Sequence, residues 1–449
     1  MTRIQNAFLL LLASLAGLWW LADPALPQPL TYFSFRAWIL QASGVLAIGS
    51  MSAILVLAVR PRWLEPHLQG LDKMYRLHKW LGITALVTAT LHWWLAQGTK
   101  WMVGWGWLVR PPRPPRPAVD ERGLMEAFLG SQRGLAEAVG EWAFYAAALL
   151  MVLALVKRLP YRWFAKTHTL LAAGYLALVF HSVVLVKFAH WGQPLGWVLA
   201  VLMVAGSVSA VLVLSRQVGA RRQVAAQVSG LHHYAGVDSL AVELQMADGW
   251  PGHRAGQFAF VTLDPAEGPH PYTMASAWDP AQRQLRFVIK SLGDHTRGLA
   301  QGLTLGQPVQ VEGPYGCFDF EDGRQRQIWV GAGIGITPFL ARLQQLARLP
   351  LAERQRLQID LVHPTAQEDP AALARLRADA EAAGVRLHVL VDARNGLLDA
   401  ARLERLVQPG PASSLWFCGP AGFGQALKRA WVRAGRPAAH FHQELFEMR

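Results

Sequence analysis

Cysteine is almost missing from this chain of 449 residues: Cys317 and Cys418 are the two present, and acidic residues are also short, 30 against 43 lysines and arginines. Both thiols fall in the C-terminal half, so no disulfide framework is implied. No Cys-x-x-Cys-His run occurs, which excludes the usual covalent attachment of a c-type haem. The acidic deficit leaves a formal charge of +13. Much of that excess flanks apolar runs, so attraction to anionic lipid explains it more simply than a nucleic-acid partner does.

Apolar sequence is what the chain has in quantity, and it is unevenly placed. The length exceeds one ordinary domain. Residues 1–215 hold long apolar runs and most of the tryptophans, near 4–22, 37–59, 76–97, 141–157, 166–187 and 195–214. A hydrocarbon core of ~30 Å needs about 20 apolar helical residues. These six runs therefore predict an all-α transmembrane six-helix bundle in a lipid bilayer. The first run has a second reading as a signal peptide, because Arg3 precedes a leucine-rich core, although the cleavage pattern before Pro24 is poor. Short basic loops set the orientation: Arg60 and Arg62; Lys73, Arg76 and Lys79; Lys157, Arg158, Arg162 and Lys166; Arg216, Arg221 and Arg222. All lie on the side of the C-terminal half, which is then cytoplasmic, as is the N-terminus. The expected location is a bacterial inner membrane. The long connection 100–140 contains the proline-rich run 110–117; it reads either as a cover over the outer mouth of the bundle or as a plain irregular link.

Four histidines stand on two of these runs in matched pairs, His78 and His92 on one, His168 and His181 on the other. An ionisable side chain inside a membrane is costly and usually marks a pathway or a cofactor. Any one histidine could simply bond a backbone carbonyl or a hydroxyl, but two pairs at steps of 14 and 13 form a set. At about 1.5 Å per residue, 14 residues cover ~21 Å, enough to space two metal centres across a bilayer. Two axial imidazoles per iron suit a b-type haem with no open position. At ~100° per residue the step of 14 returns His92 to the face of His78, whereas the step of 13 does not. The second helix is therefore expected to bend, tilt or present two faces, with Gly174 as a weak point.

Past about Arg222 the pattern changes to short alternating runs, as in Leu240–Leu244, Gln257–Leu263 and Leu285–Ile289, which predict a small antiparallel β-barrel over 216–322. After Gly323, strands alternate with helical segments, predicting an α/β doubly wound domain over 323–449. There an apolar strand from Ile328 enters Gly331, Gly333 and Gly335, and Thr337 and Pro338 open a helix. Glycines at such a turn allow unusual φ values and close approach of a pyrophosphate to the helix N-terminus.

Three stretches resemble the ferredoxin reductase superfamily. His270-Pro271-Tyr272-Thr273 through Ser276 is similar to its flavin-binding stretch, in the histidine-first form of NADPH oxidases and ferric reductases. The resemblance implies that Tyr272 lies against the isoalloxazine, Thr273 bonds its edge and His270 reaches the pyrophosphate. Lys290 through Gly293 to Thr296 is similar to its phosphate-proximal segment, and Cys418-Gly419-Pro420 to its second nicotinamide contact, which puts Cys418 near hydride transfer; a buried structural thiol is the other reading. Glu444 and Phe446 stand where relatives place an acid and an aromatic over the flavin, although three residues follow Phe446.

With the four histidines, these motifs resemble the ferric reductase and NADPH oxidase superfamily over nearly the whole chain. The resemblance implies FAD, two haem b groups and NADPH or NADH, with His78 paired to His168 on an inner haem and His92 to His181 on an outer one. Flavin is needed because hydride carries two electrons and a haem accepts one. The small-molecule acceptor is either a ferric chelate or O2; Ala96, where several oxidases carry a further histidine, tilts the choice to the chelate. Arg36 could bind a haem propionate or steer an anionic acceptor, or simply snorkel at the interface. NADPH is the family expectation, although after the strand 358–362 the chain reads His363-Pro-Thr-Ala, with Arg394 the available substitute for a 2′-phosphate ligand. The rival reading is a cytochrome b relay to a partner protein, but a complete nicotinamide site makes an obligatory partner unnecessary.

Overall fold

The computed structural model describes residues 2–112, 123–156 and 161–444. The chain divides into two compact units, Met1–Leu68 with Lys73–Val218, and Gln69–Asp72 with Gly219–Arg449.

The first unit is helical. Its long helices are α1 (Thr2–Ala22), α2 (Tyr32–Ala58), α3 (Leu71–Gly104), α4 (Arg133–Leu155), α5 (Tyr161–Leu185) and α6 (Pro194–Leu214). Thr31 starts α2 with a reciprocal cap: its hydroxyl accepts from Ser34 N at 3.2 Å, and Ser34 Oγ accepts from Thr31 N at 2.9 Å. Among the described residues, five helices are long and apolar enough to cross a membrane: Arg3–Ala22, Tyr32–Ala58, Arg133–Leu155, Trp163–Leu185 and Pro194–Leu214. α3 is longer than any of them but carries Asp72, Lys73, Arg76, Lys79 and Lys100, and is not in that set. Several helices outrun the apolar runs that announced them: α2 begins at Tyr32 rather than 37, and α5 at Tyr161 rather than 166. α3 extends to 71–104 rather than 76–97, and α4 begins at Arg133 rather than 141, because helical hydrogen bonding continues past the last apolar residue. Part of the long connection is helical too, at Leu124–Ser131; most of the proline-rich run lies outside the described residues. Small residues let the helices approach closely: a Cβ on Gly206 would lie 2.2 Å from Tyr175 Oη.

The second unit holds two sheets. Strands β1 (Gln223–Tyr234), β2 (Ser239–Met246), β3 (Phe258–Thr262), β4 (His270–Thr273), β5 (Gln284–Lys290) and β6 (Pro308–Tyr315) form an antiparallel sheet in the order β4-β3-β6-β1-β2-β5. A bridge between Met274 and Phe287 joins its two edges. β5 alternates buried with partly exposed residues, and Leu285, Phe287 and Ile289 enter a core with Val242, Leu244 and Val311. The other sheet is parallel, β11-β10-β7-β8-β9, from β7 (Arg326–Gly331), β8 (Gln358–Thr365), β9 (Arg386–Val391), β10 (Ser414–Cys418) and β11 (Phe441–Gln443). β7, β8 and β10 are buried nearly end to end, which is why they read as unbroken apolar runs. Its helices include α7 (Thr337–Ala347), α8 (Pro370–Ala383) and α9 (Ala421–Arg433). The strand order reverses between β7 and β10, and a crevice at such a switch point is where open parallel sheets bind ligands.

Candidate functional sites

In the helical unit, the ring centroids of His78 and His168 are 5.8 Å apart and those of His92 and His181 are 6.2 Å apart. α3 and α5 therefore run side by side in the same direction, with α4 between them in sequence. α5 is helical throughout Tyr161–Leu185 and passes Gly174 without a break. Three of the rings are anchored by backbone: Nδ1 of His78 lies 3.2 Å from Ile54 O, that of His92 3.0 Å from Leu40 O, and that of His181 2.8 Å from Ala136 O. A carbonyl oxygen only accepts, so each Nδ1 carries the proton and each Nε2 keeps its lone pair for a metal. Nδ1 of His168 has no hydrogen-bond partner among the described residues; its ring stacks on Phe164 at 5.1 Å. An iron ~2 Å from two Nε2 atoms needs rings with centroids roughly 6 Å apart, and both pairs fit.

Two glycines that the sequence reading passed over make room for these rings. A Cβ on Gly140 would lie 1.9 Å from His181 Nδ1, and one on Gly44 would lie 3.3 Å from His92 Cε1. In sequence they resemble ordinary small residues at helix contacts. Arg36, on α2, donates from Nε to Leu95 O at 2.6 Å and from Nη2 to Ala96 O at 3.4 Å. It thus grips the turn of α3 that follows His92.

In the second unit, β4 carries the residues of the flavin-like stretch, with Phe258 opposite Thr273 and Ala259 opposite Tyr272. Thr273 is buried and its hydroxyl has no hydrogen-bond partner among the described residues. Such an orphan suits a ligand's polar edge. Tyr272 Oη lies 3.1 Å from Nε2 of His295, a residue the sequence reading did not single out. The His295 ring stacks on His270 at 3.8 Å, and burial, then His295, pushes the His270 imidazole down to about 4. Pro271 sits between His270 and Tyr272 on β4; Ser276 Oγ accepts from Arg286 N at 3.0 Å, and Lys290 ends β5. Gly293 precedes a four-residue helix, Asp294–Arg297, and the Thr296 hydroxyl accepts from Leu292 N at 2.9 Å and Gly293 N at 3.0 Å. Thr296 therefore closes this turn itself.

The glycine turn and the Cys418 segment meet at the switch point. Ala332 N donates to Cys418 O at 2.9 Å, and a Cβ on Gly335 would lie 2.2 Å from that same oxygen. Gly333 is different: φ is +55° and a Cβ would meet open space, so backbone conformation and not crowding selects glycine. Gly419 is crowded by Ala332 Cβ, Gly331 ends β7, and Thr337 and Pro338 open α7 while Pro420 caps α9. His363 steadies the turn from the neighbouring strand, its Nδ1 2.7 Å from Gly331 O. Cys418 is fully buried; burial raises its thiol well above the ordinary range and Glu444, 3.9 Å from Sγ, raises it further. The thiol is neutral, which suits a positioning contact and not a nucleophile. Phe446 lies outside the described residues.

Residues 43–179 match the family described as ferric reductase like transmembrane component, and residues 225–318 match an FAD-binding domain family. The chain is 30% identical over 218 residues to a vanillate O-demethylase oxidoreductase of a Pseudomonas species, covering 46% of this chain and 65% of that one. It is 28% identical over 212 residues to respiratory burst oxidase homolog protein E of Arabidopsis thaliana, covering 40% and 21%. A solved flavohemoglobin from Malassezia yamatoensis with bound FAD and heme aligns with a TM-score of 0.49 at 17% identity, over 92% of this chain and 98% of that one. The chain spans about half the length of the first curated relatives it matches, from 34% to 65%.

Proposed function

Since the chain belongs to the ferric reductase and NADPH oxidase superfamily, we propose that it is a transmembrane oxidoreductase taking electrons from cytoplasmic NAD(P)H to a ferric chelate on the other side of the membrane. The observation that carries this reading is the two facing imidazole pairs, each within about 6 Å. FAD and two b haems, when bound, supply the chemistry that divides a two-electron donation into single electrons.

The chain's own residues supply the rest. His78 with His168, and His92 with His181, would hold the two haems through Nε2, while Ile54, Leu40 and Ala136 keep the Nδ1–H tautomer in place. With two imidazoles offered at each site, no open position would be left for the acceptor, which would be reduced at the edge, and Arg36 would favour a negatively charged one. Tyr272, Thr273 and His270 would cradle the flavin. Gly333 and Gly335 would let the nucleotide approach, and the neutral Cys418 thiol beside Glu444 would orient the nicotinamide. All six long helices would then span the bilayer, with α3 tolerating its charges because they sit near its ends.

The test is steady-state NAD(P)H oxidation by the purified protein, first with a ferric chelate under argon and then in air with superoxide detection. Two haems and one FAD per chain with chelate reduction under argon are expected. The similarity to a respiratory burst oxidase homolog supports oxygen as the second reading. Superoxide in stoichiometric yield with no chelate reduction would replace the first reading with the second. Transfer that requires an added partner protein would point to the relay.

A further inference from the structure

Resting on the reading of NAD(P)H as electron donor, we infer that the nucleotide cleft selects NADH through the Glu368 carboxylate, which also withholds Arg394 from NADPH. The cleft is lined by Gly333 and Ile334 of the glycine turn, by Thr365 at the end of β8 and by Gln367 and Glu368 just beyond it. In a doubly wound sheet, the strand that follows the glycine turn and its helix ends beside the adenosine ribose. There a carboxylate accepts from the ribose 2′-hydroxyl, and an arginine serves a 2′-phosphate. β8 is that strand, and Glu368 follows its end by three residues.

The loop bearing Glu368 is held from both sides. Thr365 Oγ1 donates to Gln367 O at 2.6 Å, and the Asp369 carboxylate accepts from Ala371 N and Ala372 N at 3.0 Å each and from Gly236 N at 3.1 Å. Arg394 lies just past the end of β9, the neighbour of β8, and pairs with Glu368. A carboxylate has lone pairs enough to keep that arginine and still accept a ribose hydroxyl. A 2′-phosphate must instead meet the carboxylate's charge and pull Arg394 from it. Glu368 apart, Arg286, Lys290 and Arg375 line the cleft with Asp369 and Asp379; Arg286 is already paired with Glu243 at 2.7 Å, which leaves two basic groups against two acidic ones.

The full-length protein in detergent is titrated with NADH and NADPH by equilibrium binding, and kcat/KM for each is measured with a flavin-accepting dye. Wild type should favour NADH by about tenfold or more, and Glu368→Gln should lower that ratio by about tenfold, chiefly through tighter NADPH binding. Adding Arg394→Ala to Glu368→Gln should cancel the gain. A wild-type preference for NADPH, or an unchanged ratio in Glu368→Gln, would overturn this inference while leaving the donor reading intact. If neither nucleotide binds, the donor reading and the inference fall together.

Discussion

The helical unit and the two-sheet unit hold their candidate ligand sites by opposite means. In the first, the candidate site is built from four side chains that an apolar helix would otherwise reject, and backbone carbonyls of neighbouring helices steady three of them. In the second, the backbone does the holding: glycines at 333 and 335 and the carbonyl of Cys418 shape the turn, and side chains such as Cys418 trim it. Side-chain sites fail when a ligand is removed, whereas backbone sites fail when a Cβ is added.

The largest expected effect breaks the first kind of site. His92→Ala or His181→Ala should remove one of two haems and end transmembrane transfer, while NAD(P)H-dependent reduction of a cytoplasmic dye stays within about twofold; pyridine haemochrome counts and dye assays check both. Gly140→Ala should do much the same without touching a ligand, since its Cβ would sit 1.9 Å from His181 Nδ1. Two haems retained in Gly140→Ala would mean that α4 yields instead.

Next is the backbone site. Gly335→Ala, crowded against Cys418 O, should cost about 1–3 kcal/mol and abolish nucleotide binding. Gly333→Ala pays only for its φ of +55°, about 1 kcal/mol, and should still fold, as thermal melts would record. A smaller effect is expected at Cys418: its change to Ala should slow flavin reduction roughly tenfold and leave nucleotide binding nearly unaltered in stopped-flow traces.

Arg36→Ala should raise KM for an anionic ferric chelate a few fold. The difference should shrink as salt rises, because the Debye length falls from ~10 Å at 0.1 M to ~3 Å at 1 M. The smallest effect concerns His270, whose imidazole is held near 4 against an ordinary 6.5 by burial and then by His295. Without FAD it stays neutral down to that value. A flavin pyrophosphate would raise it, so a proton is taken up on binding and FAD affinity should climb as pH falls from 6.5 toward 4. His270→Gln should flatten the profile in a fluorescence titration.

The contrast also explains what the sequence made legible. Histidines in apolar runs and glycines between a strand and a helix carry their chemistry in the residue type, and both were readable. The partners were not: Leu40, Ile54 and Ala136 contribute only carbonyls, which every residue has. Gly140 and Gly44 look like packing glycines until a ring is found against them. His295 sits in a turn of few residues with no periodicity to mark it. The helix ends were misjudged where charged residues continue the hydrogen-bond ladder, as at Leu71 and Arg133.

The carbonyls that anchor His92 and His78 both belong to α2, at Leu40 and Ile54. Those positions are 14 residues apart, as are the two histidines, and they run in the opposite sense. α2 is therefore a ruler laid antiparallel to α3, graduated at the two heights where imidazoles attach. Deleting one residue of α2 between 40 and 54 would turn one graduation by ~100° and slide it ~1.5 Å, leaving one imidazole free to rotate while the other stays fixed. The spacing between the two imidazole pairs is thus written twice, once in the helix that bears His78 and His92 and once in the helix that bears neither.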